Sequence, residues 1–129
     1  MEMVVIRRSG RSLGGRLARA PVCLLTTTGC RCGKARTTPL AYVRDGEELL
    51  VVAAYGGSPW QPAWYLNLRA DPECVVEIDG ERVVGRANFV AGDERQRLWP
   101  EMVAKIATLT RARERTQREI PLVRIALDR

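Results

Sequence analysis

The sequence predicts an α+β fold, a small barrel of six mostly antiparallel strands with helices at its periphery. Three observations carry this expectation. Apolar, β-branched runs recur along the chain between turn residues. Two connections are Asp-Gly pairs, Asp45-Gly46 and Asp79-Gly80, which suit hairpins and are too short for the crossovers that parallel strands require. Helical spacing appears only after Pro62 and after Asp93, so helices are inserted between hairpins and do not alternate with every strand. At 129 residues the chain is expected to form one domain over 21–129, preceded by a basic arm over 1–20.

Taken in order, the arm carries Arg7, Arg8, Arg11, Arg16 and Arg19 among Gly10, Gly14 and Gly15, whose glycines discourage a long helix. Val22 to Thr28 is the first strand and Thr37 to Arg44 the second. Asp45-Gly46 turns into a third, Glu48 to Tyr55, whose Leu-Leu-Val-Val-Ala-Ala core predicts burial on both faces. After a turn-rich loop from Gly56 to Pro62, a helix spans Ala63 to Ala70 and stops at Asp71-Pro72, because the residue before proline avoids α geometry. Cys74 to Ile78 and Arg82 to Val90 form a second hairpin. Asp93 is the expected N-cap of a helix through Trp99, with Pro100 kinking or restarting it from Glu101 to about Arg118. Ile120 to Leu127 is the closing strand, with Pro121 at its start, where a missing donor is tolerated.

The chemistry concentrates in Thr26 to Leu40, TTTGCRCGKARTTPL. Arg31, Lys34 and Arg36 sit among Gly29, Gly33 and the hydroxyls of Thr26, Thr27, Thr28, Thr37 and Thr38. Clustered cations, hydroxyl donors and backbone N–H groups left open by glycine turns make an anion receptor, here read as a phosphate clamp. The charge distribution points the same way. The formal net charge is +6, and no Asp or Glu occurs between Met3 and Arg44, where cations gather. Such a gradient draws in a polyanion: a nucleic acid, a membrane surface or a phosphorylated small molecule.

The four cysteines do not have the paired short spacing of structural zinc, and there is no histidine, so no metal site is expected. Cys23 and Cys74 fall in strand-like runs as small buried hydrophobes. Cys30 and Cys32, flanked by Arg31 and Lys34, form an oxidation-prone or regulatory pair in the alternative reading. No apolar run approaches the ~20 residues of a membrane span, and the arginine-rich start is not followed by the apolar stretch of a secretory signal. A cytoplasmic setting is therefore expected.

Several ordered motifs now combine: Leu24-Leu25-Thr26-Thr27-Thr28-Gly29, Gly33-Lys34-Ala35-Arg36, Pro39-Leu40, and Val51-Val52-Ala53-Ala54 with Gly56-Gly57. Pro62-Ala63-Trp64-Tyr65-Leu66-Asn67-Leu68 with Asp71-Pro72, and then Arg118-Glu119-Ile120-Pro121, complete the set. Together, over about 14–121, they resemble the deazaflavin-dependent nitroreductase family. The resemblance implies a split β-barrel related to FMN-binding barrels, with coenzyme F420, a deazaflavin carrying a phosphate-linked oligoglutamate tail, as cofactor. It implies a reductase passing a hydride from the reduced deazaflavin to an electron-poor acceptor such as a quinone, an enone or a nitro compound.

By the same resemblance the tail is held by Cys30, Arg31, Cys32 and Arg36, with Lys34 beside them. The ring is lined by Thr37, Thr38, Pro39, Leu40 and Ala41, by Val52, Ala53, Ala54 and Tyr55, and by Ala63, Trp64, Tyr65, Leu66 and Asn67. Trp64 has an equal reading as the anchor of its helix, and Asn67 a second one as a capping or solvent-facing residue. Tyr55 and Tyr65 are the candidate proton donors, alongside solvent. The nitroimidazole-reducing members carry tyrosines where 106–112 reads Ile-Ala-Thr-Leu-Thr-Arg-Ala, so the acceptor wall differs here.

Other classes fit the same residues. A protein that binds the deazaflavin or FMN without turnover predicts tight binding and no oxidation of the reduced cofactor. A polyanion or membrane-surface binder using the basic N-terminal third predicts affinity that falls steeply with salt. No specific nucleic acid is expected, since aromatic residues do not interleave with the basic cluster. The sequence does not fix the oligomeric state, and a homodimer is one assembly open to a barrel whose exposed sheet edges a partner subunit can cover.

Overall fold

The computed structural model describes residues 21–54 and 57–128, so the expected arm over 1–20 and Tyr55 lie outside the described residues. In chain order the elements are β1 (Val22–Thr28), β2 (Ala35–Ala41), β3 (Val43–Asp45), β4 (Glu48–Val52) and α1 (Ala63–Ala70). They continue with β5 (Glu73–Ile78), β6 (Glu81–Val90), α2 (Gly92–Lys105), α3 (Leu109–Arg115) and β7 (Leu122–Asp128). One sheet takes in all seven strands in the order β2-β1-β5-β6-β7-β4-β3, and each neighbouring pair is antiparallel.

Tyr42 shows why this sheet is a curled half-barrel and not a flat layer. β2 and β3 occupy opposite edges of the sheet, yet Tyr42 alone separates them in the chain. With about 3.8 Å between consecutive Cα atoms, the two edges must come together. The same residue accounts for seven strands where six are expected. Its N–H donates to the Pro21 carbonyl at 3.0 Å, and the chain then leaves β1 for β4, splitting the expected Thr37 to Arg44 strand.

The hairpins follow the turn chemistry. Asp79 and Gly80 both adopt positive φ, 54° and 79°, the twist that joins Ile78 to Glu81. β4 is buried on both faces, as its sequence requires. Leu49 and Val51 enter the cluster inside the curl with Leu25, Val76, Val123 and Ile125, whereas Leu50 faces a second cluster with Met102, Ile106, Leu109 and Leu122. The helices α2 and α3 cover that second face.

α2 corrects a boundary. It starts at Gly92, with Asp93 and Glu94 in its first turn, and runs through Pro100 to Lys105. The break comes instead at Ile106, whose side chain is buried and whose carbonyl accepts the N–H of Leu109 at 3.1 Å, so packing and not proline ends the helix. Arg124 on β7 ties the layers together, donating to Asp45 and Glu48 at 2.8 Å and to Glu94 at 2.6 Å. Its guanidinium is held more firmly charged, chiefly by Asp45.

Candidate functional site

A cleft of about 750 Å³ opens where the curl brings β4 opposite β2. Its walls are the β1–β2 loop (Gly29, Cys30, Arg31, Cys32), β2 (Arg36, Thr37, Thr38, Pro39, Leu40), Val52 at the end of β4, and the start of α1 (Pro62, Ala63, Trp64, Leu66, Asn67), with Thr27 at the base.

The loop is rigid by construction. The Gly29 N–H donates to the Lys34 carbonyl and the Gly33 N–H to the Gly29 carbonyl, both at 2.8 Å, with Gly33 at a φ of 69°. A Cβ on Gly29 would stand 2.7 Å from the Cys32 sulfur, so the close approach of the two requires glycine. These bonds correct one expectation, because the glycine N–H groups are spent on closing the loop and do not stand open for an anion. The hydroxyls are also partly engaged. Thr26 and Thr37, opposite each other across β1 and β2, share a hydrogen bond of 2.7 Å. What the loop offers to the cleft is the pair of guanidinium groups of Arg31 and Arg36, and among the described residues the lining contains no carboxylate.

Asn67 explains how loop and helix stay in register. It is buried, its amide nitrogen donates to Thr27 Oγ1 at 3.0 Å, and its amide oxygen accepts the Cys30 N–H at 2.9 Å. Its capping or solvent-facing alternative is therefore not what the structure shows. Trp64 fills both roles weighed for it, lining the cleft while packing among the core residues inside the curl. At the helix start Pro62 makes no side-chain cap, and the first-turn N–H groups of Ala63 and Trp64 have no intrahelical carbonyl to bind.

Several expected residues lie elsewhere. Tyr65 packs edge-on against Phe89 at 5.7 Å and Trp64 at 6.3 Å and is outside the lining. Ala53 is fully buried in the core, Ala41 and Ala54 pack against the second cluster, and Lys34 is exposed on the loop away from the lining. Ala53 and Tyr65 turn to the core inside the curl, and Ala41 and Ala54 to the face that α2 and α3 cover, so packing against these two clusters takes them out of the cleft. Thr27 and Gly29, expected in the anion receptor, line it too, and Pro62 lines it without having been singled out as a contact. The signal for Pro62 was its place immediately before the helix.

The loop between Val52 and Pro62 is held from beneath by Arg118. Its Nε donates to the Ser58 carbonyl at 2.8 Å, Nη1 to Gln61 Oε1 at 3.0 Å, and Nη2 to the Ala54 carbonyl at 2.9 Å. Burial lowers the guanidinium's pKa from its ordinary value. Gly57, at a φ of 84°, lies so close to α3 that a Cβ would meet Arg115 Cβ at 2.6 Å and the Ala112 carbonyl at 2.8 Å.

The family model of the F420H2-dependent quinone reductases matches residues 1–127. This chain belongs to that family. F420H2-dependent quinone reductase Rv1261c of Mycobacterium tuberculosis is 37% identical over 123 residues, covering 92% of this chain and 83% of its own. A second protein of that organism, putative F420H2-dependent quinone reductase Rv3178, is 35% identical over 103 residues, with 80% and 87% covered. Among solved structures, an F420-H2 dependent reductase (FDR-A) superposes with a TM-score of 0.73 at 32% identity, covering 81% of this chain and 93% of its own. A chain described as a domain-swapped dimer gives 0.74 at 26%, covering 97% and 99%. The protein is accordingly an F420H2-dependent reductase of the split-barrel fold, an oxidoreductase whose cofactor is coenzyme F420.

The cleft fits that cofactor. It has two guanidinium groups at one end, Pro39, Leu40, Val52 and Trp64 as apolar walls, and no acid among the described lining residues, which suits a planar ring joined to an acidic tail.

Proposed function

We propose that the cleft holds the reduced deazaflavin with its acidic tail at Arg31 and Arg36 and its ring between β2, Val52 and the start of α1, and that the acceptor is a quinone. The observation that carries the reading is the polarity of the cleft, cationic at the β1–β2 loop and apolar beside Trp64. Arg31 and Arg36 neutralise phosphate and carboxylate groups, and Thr37 and Thr38 add hydroxyls beside them. The N–H groups of Ala63 and Trp64 are the donors available to ring carbonyls, and the partial positive charge of the α1 N-terminus favours electron-rich oxygens there.

When bound, the coenzyme supplies the hydride. The chain contributes position and exclusion of water. Asn67 keeps the cationic loop fixed to α1, and Arg118 fixes the loop that joins Val52 to Pro62. Leu66, an exposed apolar residue on the cleft wall, offers a flat surface for an aromatic acceptor. Tyr65 is outside the lining and Tyr55 lies outside the described residues, and the reading assigns the product's proton to solvent.

The quinone is favoured over an enone or a nitro compound by the names of the relatives. The proposed setting is cytoplasmic, which suits free cysteines at Cys30 and Cys32 exposed to solvent. The proposed assembly is a homodimer, supported by the domain-swapped neighbour and by the exposed edge strand β2. The test is steady-state oxidation of the reduced coenzyme with menadione, a nitroimidazole or no acceptor. Menadione-dependent turnover well above the other two is expected. Tight coenzyme binding with no turnover on any acceptor would instead favour the non-catalytic reading.

A further inference from the structure

The cationic loop carries two thiols that hydride transfer does not use. Cys30 and Cys32 are exposed, free and part of the cleft lining, whereas Cys23 and Cys74 are buried and their thiols are pushed up by burial to about 12 and about 11. The two exposed sulfurs are not equivalent. Cys32 Sγ accepts a hydrogen bond from Arg36 Nη2 at 3.4 Å and occupies the space that a Cβ on Gly29 would need, 2.7 Å from where that atom would stand. The backbone N–H of Lys34, and then the Arg36 guanidinium, lower the Cys32 thiol pKa from its ordinary value. This is the surrounding of a nucleophilic thiolate, set in the cleft where a quinone is proposed to arrive.

We propose that Cys32 is a covalent modification site for quinones that carry a free ring C–H, and that the bound coenzyme tail shields it. The Cys32 thiolate forms an S–C bond to the ring carbon, and the carbon–carbon π pair moves onto a quinone oxygen, which takes up a proton. The hydrogen on the attacked carbon then leaves as a proton and the second oxygen gains one. The product is an S-aryl hydroquinone in which the quinone has accepted the electron pair and no other oxidant is consumed. The aryl group takes Arg36's sulfur partner and occupies the cationic end of the cleft, so an enzyme without coenzyme is closed to it. The shielding rests on the proposed placement of the tail; the choice of Cys32 does not.

Peptide mass mapping of the full chain after brief exposure to naphthoquinone tests this. One adduct, on Cys32, is expected at no less than about threefold the level on Cys30, with none on Cys23 or Cys74. Tetramethylbenzoquinone, which has no ring hydrogen, should leave no stable label. Arg36→Met should slow labelling of Cys32 towards that of Cys30. Equal labelling of the two thiols, or no label on Cys32, overturns the proposal. With saturating F420 the Cys32 label should fall about fivefold or more by simple occlusion. Undiminished labelling there would overturn the shielding and the tail placement while the preference for Cys32 stands.

Discussion

The side chain of Asn67 accepts the backbone N–H of Cys30 at 2.9 Å, joining a buried helix residue to the tip of the cationic loop. With the second bond, to Thr27 Oγ1, one amide group ties α1 to both β1 and the loop. Asn67→Leu keeps the volume roughly constant but leaves a buried hydroxyl and an N–H without that partner. A loss of about 1–3 kcal/mol in urea unfolding is expected, with weaker F420 binding besides. Unchanged stability would show that the loop does not depend on this contact.

Arg118 should behave as a clamp on the segment between Val52 and Pro62. Replacing it with Leu removes three hydrogen bonds to neutral acceptors, at a cost of about 2 kcal/mol, and Arg118→Lys should recover only part because an ammonium cannot span Ala54, Ser58 and Gln61 together. Because Val52 and Pro62 at the ends of that segment line the cleft where the ring is proposed to sit, the expected signature is weaker F420 binding, read by titration. Gly57→Ala attacks the same loop from the α3 side, where both the clash and the positive φ cost about 1–3 kcal/mol. Wild-type Tm in both variants would contradict the role assigned to this loop.

Alkaline stability should report the two buried thiols. Their folded pKa values, about 12 for Cys23 and about 11 for Cys74, stand above the ordinary 9.0. Below pH 9.0 the stabilisation is fully present. Above it the unfolded chain loses thiol protons that the folded one retains, so stability falls by up to about 1.4 kcal/mol per pH unit per thiol until the folded groups titrate. A Cys23→Ala, Cys74→Ala double variant should show a flatter decline, measured by denaturation between neutral and alkaline pH. Parallel curves for wild type and double variant would refute this.

Much of the fold could be read from local pattern. β1 falls at Val22–Thr28 and α1 at Ala63–Ala70, where period and punctuation agree, and both Asp-Gly hairpins form. The split at Tyr42 was hidden because its cause is a change of partner, from β1 up to Ala41 to β4 from Val43, while Thr37 to Arg44 reads as continuous strand. Pro100 misled in the opposite direction: proline weakens a helix locally, but burial of Met102 and Ile106 fixes where this one ends. At the site, the cationic loop was legible as chemistry. That Asn67 serves the loop, and that Tyr65 turns to Phe89, depends on side-chain direction set by packing, which spacing alone does not encode.

The central claim is that the guanidinium end of the cleft grips the coenzyme's acidic tail, and calorimetric titration of F420 into wild type and Arg36→Ala tests it most directly. The account predicts that the variant, with unchanged far-UV circular dichroism, binds about tenfold more weakly or worse, as loss of a charge-assisted contact requires, and that riboflavin, which has neither phosphate nor carboxylate, is far less affected. Equal F420 affinity for the two proteins would contradict it.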